Sequence, residues 1–327
     1  MKLQIYLEGV GMITKIKRGA IGVARSVYQV GKVVSPPEVL ICFQHRRAHG
    51  YWPDLRDPKT FNEKIQWRKL NDRNPLMSRL VDKIEAKSIV QRLVGPEYIT
   101  PTYWQGGVDD LFALSEVSQP YVFKASHTSG DVLVVSDPKN IDLRELTKLG
   151  QRWLNRKFLY QSSEWAYSGI PPRLLAEEKL TVNGSSPSDY KFFCVNGYVE
   201  FIQVDLDRFS KHKRLILDKN WSDTGITYEY KKTDDGIVPA RPVNLEEMIF
   251  VAEKISKDFD FVRVDLYDVN GQVRFGEATF YPGAGLEVFS IESDEDNLAY
   301  RNWTRSTRDY PGSYDIDKFI GRNWTVK

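Results

Sequence analysis

Two carboxylates and one guanidinium carry the clearest chemistry in this sequence. Asp265 lies in the run FVRVDLYDV, Glu277 lies in QVRFGEATF, and Asn270-Gly271 separates the two. Asn-Gly between alternating apolar segments predicts a hairpin with a tight turn. Folding about that turn brings both carboxylates near one face and one end of the ribbon, with a bulge free to adjust the register. Two hard oxygen donors on a rigid ribbon suit Mg²⁺, which bridges nucleotide phosphates and keeps waters in its other positions. Arg263 stands two residues before Asp265 and projects from the same strand face. There it could neutralise charge on a transferred phosphoryl group or an acyl phosphate. An exposed ribbon face with cross-strand ion pairs is the structural alternative for an isolated acid pair.

Upstream, Lys124 ends the strand-like PYVFK, and ASHTSGD follows it before a second strand, VLVV. A lysine ammonium beside small residues with available backbone N–H groups can cradle phosphate. It is no Walker loop, because the G-x-x-x-x-G-K-[ST] spacing is absent; an ordinary strand turn is the alternative. Further on, adjacent Glu177 and Glu178 in RLLAEEKL point to opposite sides of a strand, so their side chains do not both meet one ligand. Asp189 and Lys191 in DYKFF share a face, as a functional pair or as a surface ion pair.

These blocks resemble a known family. VRVDLYDVNGQVRFGEATFYPGAG is similar to the metal-binding end of ATP-grasp ligases, where an Arg-x-Asp strand precedes a Glu-x-Asn strand and a Pro-Gly turn. With TFNEKIQW, AEE, DYKFFCVNG and FIQVD-x-DRF in order, the chain resembles more narrowly the TupA-like ATP-grasp proteins of teichuronopeptide and surface-polysaccharide synthesis. The resemblance implies an α+β ATP-grasp fold, two α+β lobes clamping ATP behind a helical N-terminal region. It implies Asp265 and Glu277 as magnesium ligands, with Thr279 where the family has Asn, and Arg263 at the reacting phosphate. Lys83, Lys124 and the loop residues Ser126, His127, Ser129 and Gly130 would meet phosphates. Glu177, Glu178 and Leu180 would form the adenine hinge, and Asp189 and Lys191 would reach ribose and terminal phosphate. Pro282-Gly283-Ala284-Gly285 matches the turn that shapes the acceptor site.

The implied activity is a Mg-ATP-dependent carboxylate–amine ligase that forms an amide through an acyl phosphate. It would join an amino acid or other amine to a uronic acid, amino sugar or related glycan precursor of a cell-surface polysaccharide. A kinase, a glycosyltransferase and a non-catalytic nucleotide-binding scaffold at the membrane are the alternatives. Arg208, His212 and Arg214, in DRFSKHKRL, are candidates for gripping an acceptor carboxylate or sugar acid, with His212 as a general base; a solvated basic loop is the other reading.

The elements that must position these groups follow from capping and periodicity. Thr60 and Glu63 predict a capping box on a helix through Leu70, a second helix covers Ser78–Leu93, and a third covers Leu143–Phe158. Asn244 and Glu247 suggest another box on a helix to Phe259, and Asn196-Gly197 marks a second hairpin. Trp153, Tyr160, Trp165 and Tyr167 read as core or as a platform for sugar faces. His45 and His49, four apart and without a third ligand, read as surface residues. The segments divide as a basic 1–50, a helical 51–100, a small lobe 101–180 and a large lobe 181–327.

Composition bounds the rest. The 327 residues are 41% hydrophobic and carry a net charge of +2, which disfavours a general nucleic-acid binder. Cys42 and Cys194 are the only cysteines, so no disulfide framework or cysteine zinc site is expected, and a reducing cytosol fits. No apolar run approaches the ~20 residues of a membrane span. Residues 1–50 nevertheless hold eight Lys/Arg against two acids. Residues 12–34, basic and without an acid, could give weak peripheral contact with the inner membrane face.

Overall fold

Local capping sets the helical start of the chain. The computed structural model describes residues 36–156, 163–206, 213–228 and 238–290. Helix α1, Pro37–His49, begins on a proline and stops at Gly50, whose φ of 81° is left-handed. Helix α2, Phe61–Asn71, carries the expected box: Thr60 Oγ1 accepts from Glu63 N, and the Glu63 carboxylate accepts from Thr60 N at 2.9 Å. The single helix expected over Ser78–Leu93 is instead two, α3 (Pro75–Val81) and α4 (Glu85–Val94). Asp82 separates them with an extended backbone (φ −70°, ψ 113°), and its carboxylate accepts from Ile84 N at 2.9 Å. That local bond satisfies a donor at the start of α4 and offers the chain an alternative to helical continuation.

A small antiparallel sheet follows, in the order β1-β4-β2-β3, from β1 (Thr102–Gly106), β2 (Tyr121–Ala125), β3 (Val132–Val135) and β4 (Leu174–Glu178). Helix α5, Leu143–Leu154, is shorter than expected and is capped by Asp142, whose side chain accepts from Arg144 N and Glu145 N. It packs Leu146 and Trp153 into a core with Phe123, Leu174 and Tyr121.

The large sheet is also antiparallel. It runs β10-β9-β5-β6-β7 and comprises β5 (Asp189–Val195), β6 (Tyr198–Leu206), β7 (Lys213–Leu217), β9 (Phe261–Val269) and β10 (Gln272–Thr279). A short pair, β8 (Thr227–Tyr228) with β11 (Phe289–Ser290), forms a separate two-stranded sheet packed beside it. Both Asn-Gly turns form as expected, with φ of 51° and 85° at Asn196-Gly197 and 53° and 82° at Asn270-Gly271. Helix α6, Leu245–Ser256, buries Leu245, Met248, Val251 and Ile255, and packs on β5, β6 and β9. Asn244 precedes it but makes no side-chain cap. Hairpins and separate helices replace regular strand–helix alternation, so the architecture is α+β.

Candidate functional site

A bulge decides the chemistry of the last ribbon. Phe275 pairs with Leu266, and continuing that register would set Glu277 opposite Val264, on the apolar side. The register shifts between Phe275 and Glu277, so Glu277 pairs with Asp265 and Thr279 with Arg263. A one-residue slip turns side chains to the other face. Gly276 accommodates it: a Cβ there would stand 2.8 Å from Tyr267 Cε2 and 3.1 Å from the Asp265 carbonyl oxygen.

On the resulting polar face, Arg263 grips Asp265 with two bonds, Nε to Oδ1 at 2.7 Å and Nη2 to Oδ2 at 2.8 Å. Arg263 Nη2 also lies 3.4 Å from both Glu277 Oε1 and Thr279 Oγ1. From β5, Lys191 Nζ donates to Asp265 Oδ2 at 2.9 Å and to Asp189. Asp189 and Lys191 are therefore a buried pair, not a surface one. Burial alone would raise the Asp265 pKa, but the Arg263 and Lys191 cations hold it below the usual carboxylate value. Glu277 is the accessible acid, with its side chain 46% exposed.

The small sheet and the helices before it supply cations. Lys124 and Glu177 are ion-paired, and Lys87 Nζ meets the other oxygen of Glu177 at 2.7 Å. Glu177 thus faces these two lysines; Glu178 is half-buried, and its N–H donates to the Pro101 carbonyl. Leu180, also half-buried, follows where the chain leaves β4. Lys83 donates to the Thr128 carbonyl. Its pKa is lowered by burial, an effect opposed by the carboxylates of Glu277 and Glu177. Of that loop, Ser126, His127 and Thr128 are buried, and Ser129 and Gly130 form its exposed tip. Burial lowers the His127 pKa. Lys87, in the first turn of α4 and four residues after Lys83, escaped the sequence reading.

The Pro282–Gly285 turn is gripped from outside the sheet. Gly283, Ala284 and Gly285 all have positive φ, 53°, 56° and 63°. Gln66 Nε2 donates to the carbonyls of Ala284 (3.1 Å) and Gly285 (2.7 Å), Lys69 Nζ donates to Ala284 O at 2.7 Å, and His49 Nε2 lies 3.2 Å from Gly285 O. Burial lowers the Lys69 pKa to about 8, an effect opposed by Glu164. Sequence reading missed this clamp; the only trace was a helix with polar residues on every side, TFNEKIQWRKL.

Other expectations are corrected. Arg214 belongs to a buried strand, where Nε donates to Asp205 Oδ1 at 2.7 Å and Nη1 lies 3.4 Å from Glu287 Oε2, so it is neither a solvated loop residue nor a free acceptor grip. Arg208 and His212, with Tyr160, lie outside the described residues. Trp153 stacks on Phe123 in the small core, with ring centroids 5.4 Å apart. Trp165 lies under Arg73 at 5.3 Å. Tyr167 packs against the large core, and burial, Glu164 and Glu277 raise its pKa. His45 is fully buried, not at the surface, with its ring 4.4 Å from that of His49. Among the described residues, no three His, Cys, Asp or Glu side chains form a metal cluster.

Comparison with known proteins adds an independent finding. The family model described as TupA-like ATPgrasp matches residues 63–299. No curated protein matches the chain. Among solved structures, the ATP-grasp ligase PsnB complexed with its minimal precursor aligns at 9% identity over 63% of this chain and 53% of its own, with a TM-score of 0.37. D-alanine–D-alanine ligase from Bacillus anthracis complexed with ATP aligns at 14% identity over 63% and 55%, TM-score 0.37. N5-carboxyaminoimidazole synthetase from Staphylococcus aureus aligns at 16% over 61% and 44%, TM-score 0.37. The aligned part spans about half the length of these proteins.

Proposed function

The chain belongs to the TupA-like ATP-grasp family, and we propose that it is a Mg-ATP-dependent ligase that joins a carboxylate to an amine. The observation that carries this reading is the ribbon in which Arg263, Asp265, Glu277 and Thr279 share one face, with Lys83 bonded to the loop after β2.

The donor set suits magnesium: a carboxylate held ionised at Asp265, an accessible carboxylate opposite it at Glu277, and a hydroxyl at Thr279 3.5 Å from Glu277. When bound there, Mg²⁺ would offset the charge of the nucleotide phosphates. Lys83, Lys87 and Lys124 would hold the phosphate oxygens, and the Glu178–Leu180 backbone would meet adenine. A substrate carboxylate oxygen then attacks the γ-phosphorus, the bond to the β-phosphate oxygen breaks, and ADP leaves. Arg263, fixed in orientation by its two bonds to Asp265, faces the charge that builds on the transferred group without reorganising. An amine nitrogen next attacks the acyl carbon and expels phosphate, with its proton passing to solvent or to that phosphate. The chain's contribution is positioning and charge, with no covalent nucleophile.

The family resemblance supports an amino acid joined to a uronic acid or amino sugar of a cell-surface polysaccharide, made on the cytoplasmic side. Incubation with ATP, magnesium, candidate amino acids and nucleotide-linked uronic acids should give ADP and amide in equal amounts. Glu277→Ala should abolish both with an unchanged melting curve. Full turnover in that variant would sink the ligase reading.

A further inference from the structure

Helix α1 presents two unlike faces. Leu40, Ile41 and His45 are buried against the body of the protein. The opposite face carries Val39 and Phe43, 42% and 58% exposed, then Arg46 and Arg47, all exposed. Their spacing of i, i+4, i+7 and i+8 aligns them along one stripe. Trp52, 55% exposed, extends the stripe beyond Gly50 by packing edge-on to Phe43, with ring centroids 5.3 Å apart. An exposed Phe–Trp pair is costly in water unless something covers it.

We propose that this face of α1 docks on an anionic phospholipid surface. Charge complementarity selects that occupant. Arg46 and Arg47 flank the aromatic pair, Glu38 is the one acid of α1, and residues 1–50 carry eight Lys/Arg against two acids. Aromatic rings beside arginines suit the headgroup boundary, where the rings enter the acyl edge and the guanidiniums pair with lipid phosphates. The inner side of the same helix reaches the Pro282–Gly285 turn through His49, so docking would set that end of the candidate site towards the membrane. The docking itself does not depend on the ligase reading.

Flotation of the full chain with vesicles tests the proposal. The protein should bind phosphatidylcholine vesicles containing phosphatidylglycerol and ignore phosphatidylcholine alone. Phe43→Ser/Trp52→Ser should weaken partitioning by on the order of tenfold, and Arg46→Gln/Arg47→Gln should do so to a similar extent, with unchanged melting curves in both cases. Brominated lipid should quench wild-type fluorescence more than that of Trp52→Phe, a readout that holds even if the double variants fold poorly. The proposal is overturned if anionic lipid makes no difference. It is also overturned if only Lys15→Gln/Lys17→Gln/Arg18→Gln loses binding, since the preceding arm would then be the anchor. Light scattering that shows a dimer reduced to a monomer by Phe43→Ser/Trp52→Ser would assign the face to a second copy instead.

Discussion

Asp265 sits between two buried cations, and this determines which substitution reads out chemistry. Removing it would leave Arg263 and Lys191 facing each other without their shared acid, and breaking a buried pair typically costs about 3–5 kcal/mol. Urea unfolding should therefore show a loss of that order for Asp265→Ala and less than about 1 kcal/mol for the half-exposed Glu277→Ala. His45 sets a second expectation. Burial first, then the charges of His49 and Lys69 against the opposing Glu63, lower its pKa to about 4, whereas an unfolded histidine titrates near 6.5. Between those values the unfolded chain binds a proton that the folded chain does not, so stability falls as pH drops from about 6.5 to 4. His45→Gln should flatten that limb in thermal melts taken across the range; an unchanged limb would assign it to other groups. The i, i+2 relation of Arg263 and Asp265 was legible from strand periodicity alone. The burial of His45 was not, because i, i+4 histidines look the same on either side of a helix.

Elements were legible where one local bond or dihedral sets them. The Thr60–Glu63 box and both Asn-Gly turns depend on residues within four positions, and they form as expected. The split at Asp82 rests on a local bond that helical periodicity hides, strand β1 pairs with the distant β4, and the role of Arg214 rests on a partner in the neighbouring strand. Lys213-Arg214-Leu215 in a basic run reads as solvated until Asp205, across the β6–β7 pair, is seen to accept from Arg214. The bulge at Gly276 is an intermediate case, since a glycine inside a strand signals irregularity without fixing its sense. Gly276→Ala tests what the bulge contributes. Its Cβ would press on the Tyr267 ring and the Asp265 carbonyl, an overpacking cost of about 1–3 kcal/mol. If the bulge holds Glu277 opposite Asp265, ligase turnover should fall further than the folded fraction does. A loss of turnover that simply tracks the folded fraction would reduce Gly276 to a packing role.

At the scale of the whole molecule, the family was legible from blocks spread in order along the sequence, while no block in it names a substrate. The small sheet and helix α4 meet through charge. Glu177 bridges Lys87 and Lys124, and these lysines keep its carboxyl below the usual value despite a burial that would raise it. Glu177→Gln removes the shared anion and leaves two cations facing each other, so the nucleotide-free protein should melt at a lower temperature. If triphosphate lies against those lysines, it supplies the missing negative charge. A non-hydrolysable ATP analogue held at one concentration, about 100 times its Kd for the parent, stabilises the parent by about 2.7 kcal/mol, or roughly 4 °C for a chain of this size. The gain should be larger in Glu177→Gln than in the parent, and it should shrink in Lys83→Ala/Lys124→Ala. An equal gain in all three proteins would move the phosphates away from these lysines and leave Glu177 a structural bridge.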